Sequence, residues 1–292
     1  MRSVIRVISL IVLSMAATLS IAQAPAAQTP LQDSAWSALN KGLTNSNSDQ
    51  RVKAVRVLGN IPRNTKAEDA ALTALKDDKP EVRGAGAQAL GEMGAKNAKP
   101  QLHALISDTE PSVIIAAAYS LIQLGDNRGY NVYYAVLTGQ QKTGTSLTDQ
   151  QKKMLKDPKK MAALGLQAGI GFVPFGGLAV TGYKLLTRDD TSPVLAAAAL
   201  MLAKDPDPKS GQALADASAN KEKWLVRAAA FDAIAKRGDP SLLPAATDGL
   251  QDPQAEVQYS AAAATLHLVD VETERAANPQ PATQKRKPSP KK

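Results

Sequence analysis

The sequence predicts an all-α solenoid of about seven helical hairpins, and three observations carry that expectation. A block with a valine near its start, a run of alanines and an apolar pair at its end recurs along the chain, with the valines at 52, 82, 113, 194, 226 and 257. The gaps between them are 30, 31, 81, 32 and 31 residues, so the long gap holds two periods and about 19 extra residues. Each block also follows a second stretch with apolar residues at helical spacing, such as Leu72 and Leu75, or Leu102, Leu105 and Ile106. No strand pattern interrupts the series.

The unit is therefore helix A, a short turn and helix B. Asp77, Asp108 and Asp252 are placed where helix A ends. Pro80, Pro111, Pro193 and Pro253 are placed at helix B starts, where a missing N–H does no harm. Gly59, Gly94, Gly125 and Gly238 are placed where helix B stops, the position of a left-handed cap. Abundant alanine lets neighbouring helices approach closely. The fourth repeat takes GYNVYYAVLTGQ from Gly129 as its first helix and is expanded by a loop at about 140–157, in which Thr148 and Gln151 form a capping-box pattern.

The block PEVRGAGAQALGEMG, from Pro80, resembles the second helix of a HEAT repeat, and in particular the short bacterial HEAT-like type also seen in phycobilisome lyases. The resemblance spans residues 31–270 and implies a right-handed α-solenoid of about seven HEAT-like hairpins with an expanded fourth repeat. In HEAT repeats an aspartate in the turn and an arginine early in helix B link neighbouring repeats. Arg83 and Arg227 match that arginine and Lys53 matches it in part, whereas Ile114, Leu195 and Gln258 do not, which breaks the ladder. The family consists mainly of binding scaffolds, so the resemblance implies protein binding. Exposed positions on the row of B helices, Lys53, Gln88, Tyr119, Lys223 and Gln258, are the candidate contacts. The alternative it implies is an enzyme, or enzyme accessory, related to phycobilin lyases.

The ends read differently from the body. Residues 1–24 carry Arg2 and Arg6, an apolar run from Val7 to Ala17 and small residues at Ser20, Ala22 and Ala24, the pattern of a secretory signal peptide or a retained N-terminal anchor. A linker follows at 25–30. Export to the periplasm or exterior, with a mature start near Gln23 to Ala27, is the expectation. Residues 271–292 are basic and proline-rich and lack the apolar groups that offset ordering, so a disordered tail is expected there. Of the formal charge of +8, Lys285, Arg286, Lys287, Lys291 and Lys292 supply five and Arg2 and Arg6 two, which leaves +1 for the body. The high pI is thus no sign of a nucleic-acid face. The tail can meet an anionic membrane or envelope polymer.

Chemistry-bearing patterns are scarce. With no cysteine, disulfides, thiolate metal sites and cysteine nucleophiles are excluded. His103 and His267 lie in different repeats and are expected to pack rather than to ligate. The acidic pairs Asp77-Asp78 and Asp189-Asp190 read as turn residues, without the oxygen set of a calcium loop. No HExxH, GxSxG, phosphate-loop or dinucleotide motif is present, so no catalytic, metal or cofactor residue is assigned. Trp36 and Trp224 are expected to pack between repeats. The uncharged run Met161–Gly182 is broken by Pro174 and Gly176-Gly177, which argues for a buried repeat over a membrane hairpin or a ligand loop.

Overall fold

The computed structural model describes residues 29–138 and 192–278. The insertion expected at about 140–157, the run at 161–182, the leader and residues 279–292 of the basic tail lie outside the described residues. Within them the chain is an all-α solenoid of paired helices. The described residues form five complete hairpins, α1/α2, α3/α4, α5/α6, α9/α10 and α11/α12, together with two further helices, α7 and α8. The helices are α1 Pro30–Leu43, α2 Ser48–Val57, α3 Thr65–Ala74, α4 Pro80–Glu92, α5 Lys99–Leu105, α6 Pro111–Gln123 and α7 Gly129–Thr138. After the undescribed stretch come α8 Ser192–Leu202, α9 Pro208–Ser218, α10 Trp224–Arg237, α11 Leu243–Asp248 and α12 Ala255–Ala277. The count of about seven therefore falls partly on residues that are not described.

Local chemistry sets the helix ends. Thr29 and Gln32 make a reciprocal capping box on α1, with Thr29 N–H donating to Gln32 Oε1 at 2.9 Å. Proline opens α4 and α6 at their first position. Gly94, Gly125 and Gly238 have φ of 75°, 75° and 63°, as a left-handed stop requires. Gly59 does not: α2 continues as a 3₁₀ turn, Leu58–Asn60, and the left-handed residue is Arg63 at φ 60°. Gly59 is small for another reason. A Cβ there would lie 2.7 Å from Glu92 Oε2 and 3.0 Å from Glu92 Cβ, so the glycine lets α4 close over α2.

The solenoid does not end in two free faces. Its last helix packs on its first two, so the repeats close on themselves. Trp36 and Leu39 of α1 share one contiguous core with Tyr259, Ala262, Ala263 and Leu266 of α12. The other side of α12, Val257, Ala261, Ala264 and Leu268, belongs to a second core with Phe231 and Ile234 of α10. Every residue from Tyr259 to Val269 is buried as a result. Gly42 marks how close the approach is, since a Cβ there would stand 2.5 Å from Ala54 Cβ and 2.6 Å from Tyr259 Cζ. Polar contacts ring this apolar seam. Lys53 pairs with Glu256. Asn64 Nδ2 donates to Asp270 Oδ2 at 2.8 Å and Arg63 pairs with Glu274 at 2.8 Å. α12 runs to Ala277, past the boundary at 270 expected from composition, so the first residues of the expected disordered tail are helical, although exposed from Glu272 onward.

Candidate functional site

The B helices share a register. Counting from each first residue, the ninth and thirteenth positions are Arg56 and Asn60 for α2, Gln88 and Glu92 for α4, Tyr119 and Gln123 for α6, and Asp232 and Lys236 for α10. Residues four apart lie on one helix face, and all eight keep contact with solvent. In α12 the same positions hold Ala263 and His267, which are buried in the closure. In α8 the ninth position is Leu200, which is buried, so the polar positions run along α2, α4 and α6 and recur on α10 without forming an unbroken row.

At the closure some of these positions meet in a cluster. Asn60 Nδ2 donates to Asp232 Oδ1 at 3.1 Å, a bond between residues 172 apart in sequence. The Ser260 hydroxyl of α12 also bonds to Asp232. Glu92 reaches over Gly59, and the charges of Lys236, Asp232 and Arg56 act on it. Surrounding protein raises the carboxyls of both Glu92 and Asp232 above their usual range by desolvation, with Lys236 opposing the shift in each. Desolvation likewise lowers the Arg56 guanidinium, and Glu92 opposes that. Residues from α2, its 3₁₀ extension, α4, α10 and α12 therefore meet in one polar site.

A testable consequence concerns Glu92. A carboxyl whose folded pKa is raised favours the folded state below its ordinary value of 4.5, and that contribution is lost as pH rises through the folded pKa. Because the Glu92 side chain keeps contact with solvent, the effect is small: at pH 7 the Glu92→Gln variant is slightly more stable than the parent, and the gain disappears towards pH 4. Melting curves of both proteins over that range check this. A variant less stable at pH 7 would show that attraction to Lys236 and Arg56 outweighs desolvation.

The turn ladder is more complete than the sequence suggested. Arg83 binds both oxygens of Asp108, each at 2.9 Å, and donates to the Asp77 carbonyl at 3.0 Å. Arg227 does the same with Asp252, at 2.6 and 2.9 Å, and with the Asn220 carbonyl at 2.9 Å. The equivalent in the first repeat is Arg51 and not Lys53. Arg51 binds Asp77 twice at 2.8 Å and donates to the Asn45 carbonyl at 2.9 Å. Aligning on the valines hid this. Arg51, Arg83 and Arg227 are each the fourth residue of their helix, but Val52 is the fifth where Val82 and Val226 are the third. Where that position is Ile114, His103 from α5 supplies the ring nitrogen instead, 2.9 Å from Asp126. Gln258 ends the ladder, donating to the Asp252 carbonyl at 2.6 Å.

Of the candidate contacts, Gln88 and Tyr119 hold two of the polar positions, Lys53 pairs across the closure, Lys223 caps α10 with its N–H on Asn220 Oδ1 at 2.8 Å, and Gln258 serves the turn. Sequence reasoning missed Arg56, Asn60, Glu92, Asp232, Lys236 and Ser260. The signal that could have found them is α12 itself: a terminal repeat normally shows a polar outer face, and YSAAAATLHLV shows none. Trp36 is buried with Lys66 Nζ 4.4 Å above its ring, and Trp224 is half-buried against the second core. A separate recess of about 350 Å³ is lined by Lys204, Asp205, Arg237, Asp239 and Arg275. Arg237 ties its rim together by donating to the carbonyls of Asp205 and Asp207, a structural joint. Among the described residues, no group of three or more His, Asp or Glu is placed to hold a metal ion, and no helix is long and apolar enough to cross a membrane.

Comparison with known proteins agrees with the geometry. The model of HEAT repeats matches residues 36–123, 69–137 and 183–266, more than half of the 292-residue chain. The chain belongs to the HEAT-repeat family, a class of helical repeat scaffolds. Among solved structures it is similar to human deoxyhypusine hydroxylase in complex with glycerol, at 16% identity over 82% of this chain and 97% of that one, with a TM-score of 0.31. It is also similar to the complex of CpcE and CpcF of phycocyanin lyase from a Nostoc species, at 22% identity over 88% of this chain and 99% of that one, with a TM-score of 0.32. No curated protein matches the chain.

Proposed function

We propose that the protein is a non-catalytic, protein-binding scaffold of the bacterial cell envelope or exterior, and that its partner lies along the polar positions of the B helices. The observation that supports this is the set of polar positions itself: Gln88 and Glu92 of α4, Tyr119 and Gln123 of α6, and Lys236 of α10 stand at matching places in their helices and keep contact with solvent. Their buried neighbours are locked in the cores. Repeat proteins present extended surfaces of this kind to partners. The leader-like residues 1–24 support the location.

Capture from envelope extract tests the reading. The wild-type chain is compared with a variant carrying Gln88→Ala, Tyr119→Ala and Lys236→Glu, and with a control carrying Lys66→Glu away from these positions. A partner held by wild type and control but lost by the triple variant supports the proposal. Equal capture by all three places the contact on another face. Fractionation with N-terminal sequencing tests the location, and recovery of an intact Met1 in the cytoplasm would contradict it. Specific bilin absorbance on the purified protein would favour the lyase-related alternative.

A further inference from the structure

The seam between the last helix and the first repeat contains a buried imidazole. His267 of α12 is 8% exposed, and its Nδ1 is shut off from solvent without a hydrogen-bond partner. Three sides of the seam meet around it. At the end of α10, a Cβ on Gly238 would stand 3.5 Å from His267 Nε2. On α12 itself, Asp270 and Glu274 follow three and seven residues later, on the same helix face. That face meets the start of α1 and the turn between α2 and α3. Asn64 Nδ2 and Gln32 Nε2 both donate to Asp270, at 2.8 and 3.5 Å, and Arg63 pairs with Glu274 at 2.8 Å. These contacts latch the last helix to the first repeat, and His267 lies one turn before them. Arg63 is held there at φ 60°, a conformation that residues with a side chain adopt reluctantly. Of the other charged groups on these elements, Arg237 and Asp239 flank Gly238 and are engaged with the Asp207 carbonyl and with Ser241, and Asp33 of α1 is exposed.

We propose that His267 makes the closure sensitive to pH: when its buried ring takes up a proton, α12 is released from α1 and α2 and the molecule opens at this seam. In the neutral ring Nδ1 can be the bare nitrogen, with the proton on Nε2. The charged ring carries N–H on both nitrogens, so Nδ1 becomes a buried donor with no acceptor, in a cation that Arg63 repels. Asp270 and Glu274 oppose this, but both are already engaged in the latch. Withdrawing α12 lets water reach the ring. Burial and Arg63 together outweigh the two carboxylates and hold the imidazole below its ordinary value of 6.5. A base so shifted favours the closed form above pH 6.5, and that contribution is lost as pH falls through the folded value. Glu92 and Asp232 act with the opposite sign, so only variants of His267 isolate its effect. His103 bonds to Asp126 in the third hairpin, away from the seam. Opening would part Asn60 from Asp232 and uncover Trp36, Leu39 and Leu266. The inference goes beyond the scaffold reading and holds whatever the partner is.

Amide hydrogen exchange of the full chain at pH 7.5 and pH 5.5 tests this, with each rate divided by that of an unstructured chain at the same pH. In the wild type, protection of residues 30–57 and 259–277 should fall several-fold at pH 5.5, while residues 80–123 keep theirs. The ceiling is about tenfold, because pH 5.5 lies one unit below the ordinary value and each unit is a factor of ten. His267→Gln and His267→Leu take up no proton and should lose the step, one keeping a polar group and the other filling the space with an apolar one. A titration of the wild-type ring protons by NMR needs no variant to fold, and should place the His267 midpoint below 6.5. Unchanged protection of residues 30–57 at pH 5.5, an equal loss in every helix, the same step in both His267 variants, or a midpoint at or above 6.5 would each overturn the proposal.

Discussion

Asp252→Ala costs the protein about 3–5 kcal/mol, the range for breaking a buried ion pair by removing one partner. Arg227 and Asp252 have side-chain exposures of only 11% and 9%, so water cannot replace the lost carboxylate. The same substitution also removes the acceptor for the Gln254 N–H, 2.8 Å from Asp252 Oδ1, which fixes the start of α12. Urea unfolding measures the effect. Adding Arg227→Met to Asp252→Ala should recover a large part of the loss, because the uncompensated charge is then gone. A loss below about 1 kcal/mol, the range of surface pairs, would show that the rung is solvated in solution. Arg128 and Asp126 make the opposite case: Arg128 is 68% exposed, and the pair belongs to the turn surface.

Leu266→Ala is the second large effect. Leu266 is fully buried in the core it shares with Trp36 and Leu39, so truncation removes apolar contact and leaves a cavity, at a cost of about 2–5 kcal/mol. The distinctive part of this expectation is where the loss appears. In an open solenoid a defect in the last repeat would loosen mainly that end. In the closed one it must also loosen α1 and α2. Hydrogen exchange in the variant should therefore speed up in residues 30–57 as well as in α12. Faster exchange confined to α12 would contradict the shared core.

The repeat was legible because its cause is local. Proline, aspartate and glycine sit at fixed places relative to alanine-rich helices, and such signals act over a few residues. Gly94, Gly125 and Gly238 do what that chemistry requires, and Asp77, Asp108 and Asp252 accept backbone N–H groups two residues on, as turn aspartates do. Gly59 shows the limit. Its smallness answers to Glu92, a full repeat away, and nothing near it in sequence marks that. Lys53 and Arg51 show another. Both are basic and two residues apart, and only the observed start of α2 at Ser48 decides which one faces Asp77. The site was illegible for the strongest reason: Asn60 and Asp232 meet only because the chain closes. Closure is written in the two-sided apolar pattern of α12, which taken alone reads as an internal alanine-rich helix and signals closure only from its place in the last of the repeats.

Closure carries the whole account, since it assembles the cluster and sets which faces a partner can use. The most direct test exploits a chain with no cysteine of its own. Lys53→Cys and Glu256→Cys replace an ion pair that joins α2 to α12 across the seam. Treated with a short thiol-bridging reagent at low protein concentration, the double variant should cross-link within the monomer, in high yield, and each single variant should not. Mass spectrometry of the digest would then find the two segments joined in one chain. Failure to bridge, or bridging only between chains, would contradict a solenoid whose last repeat closes on its first.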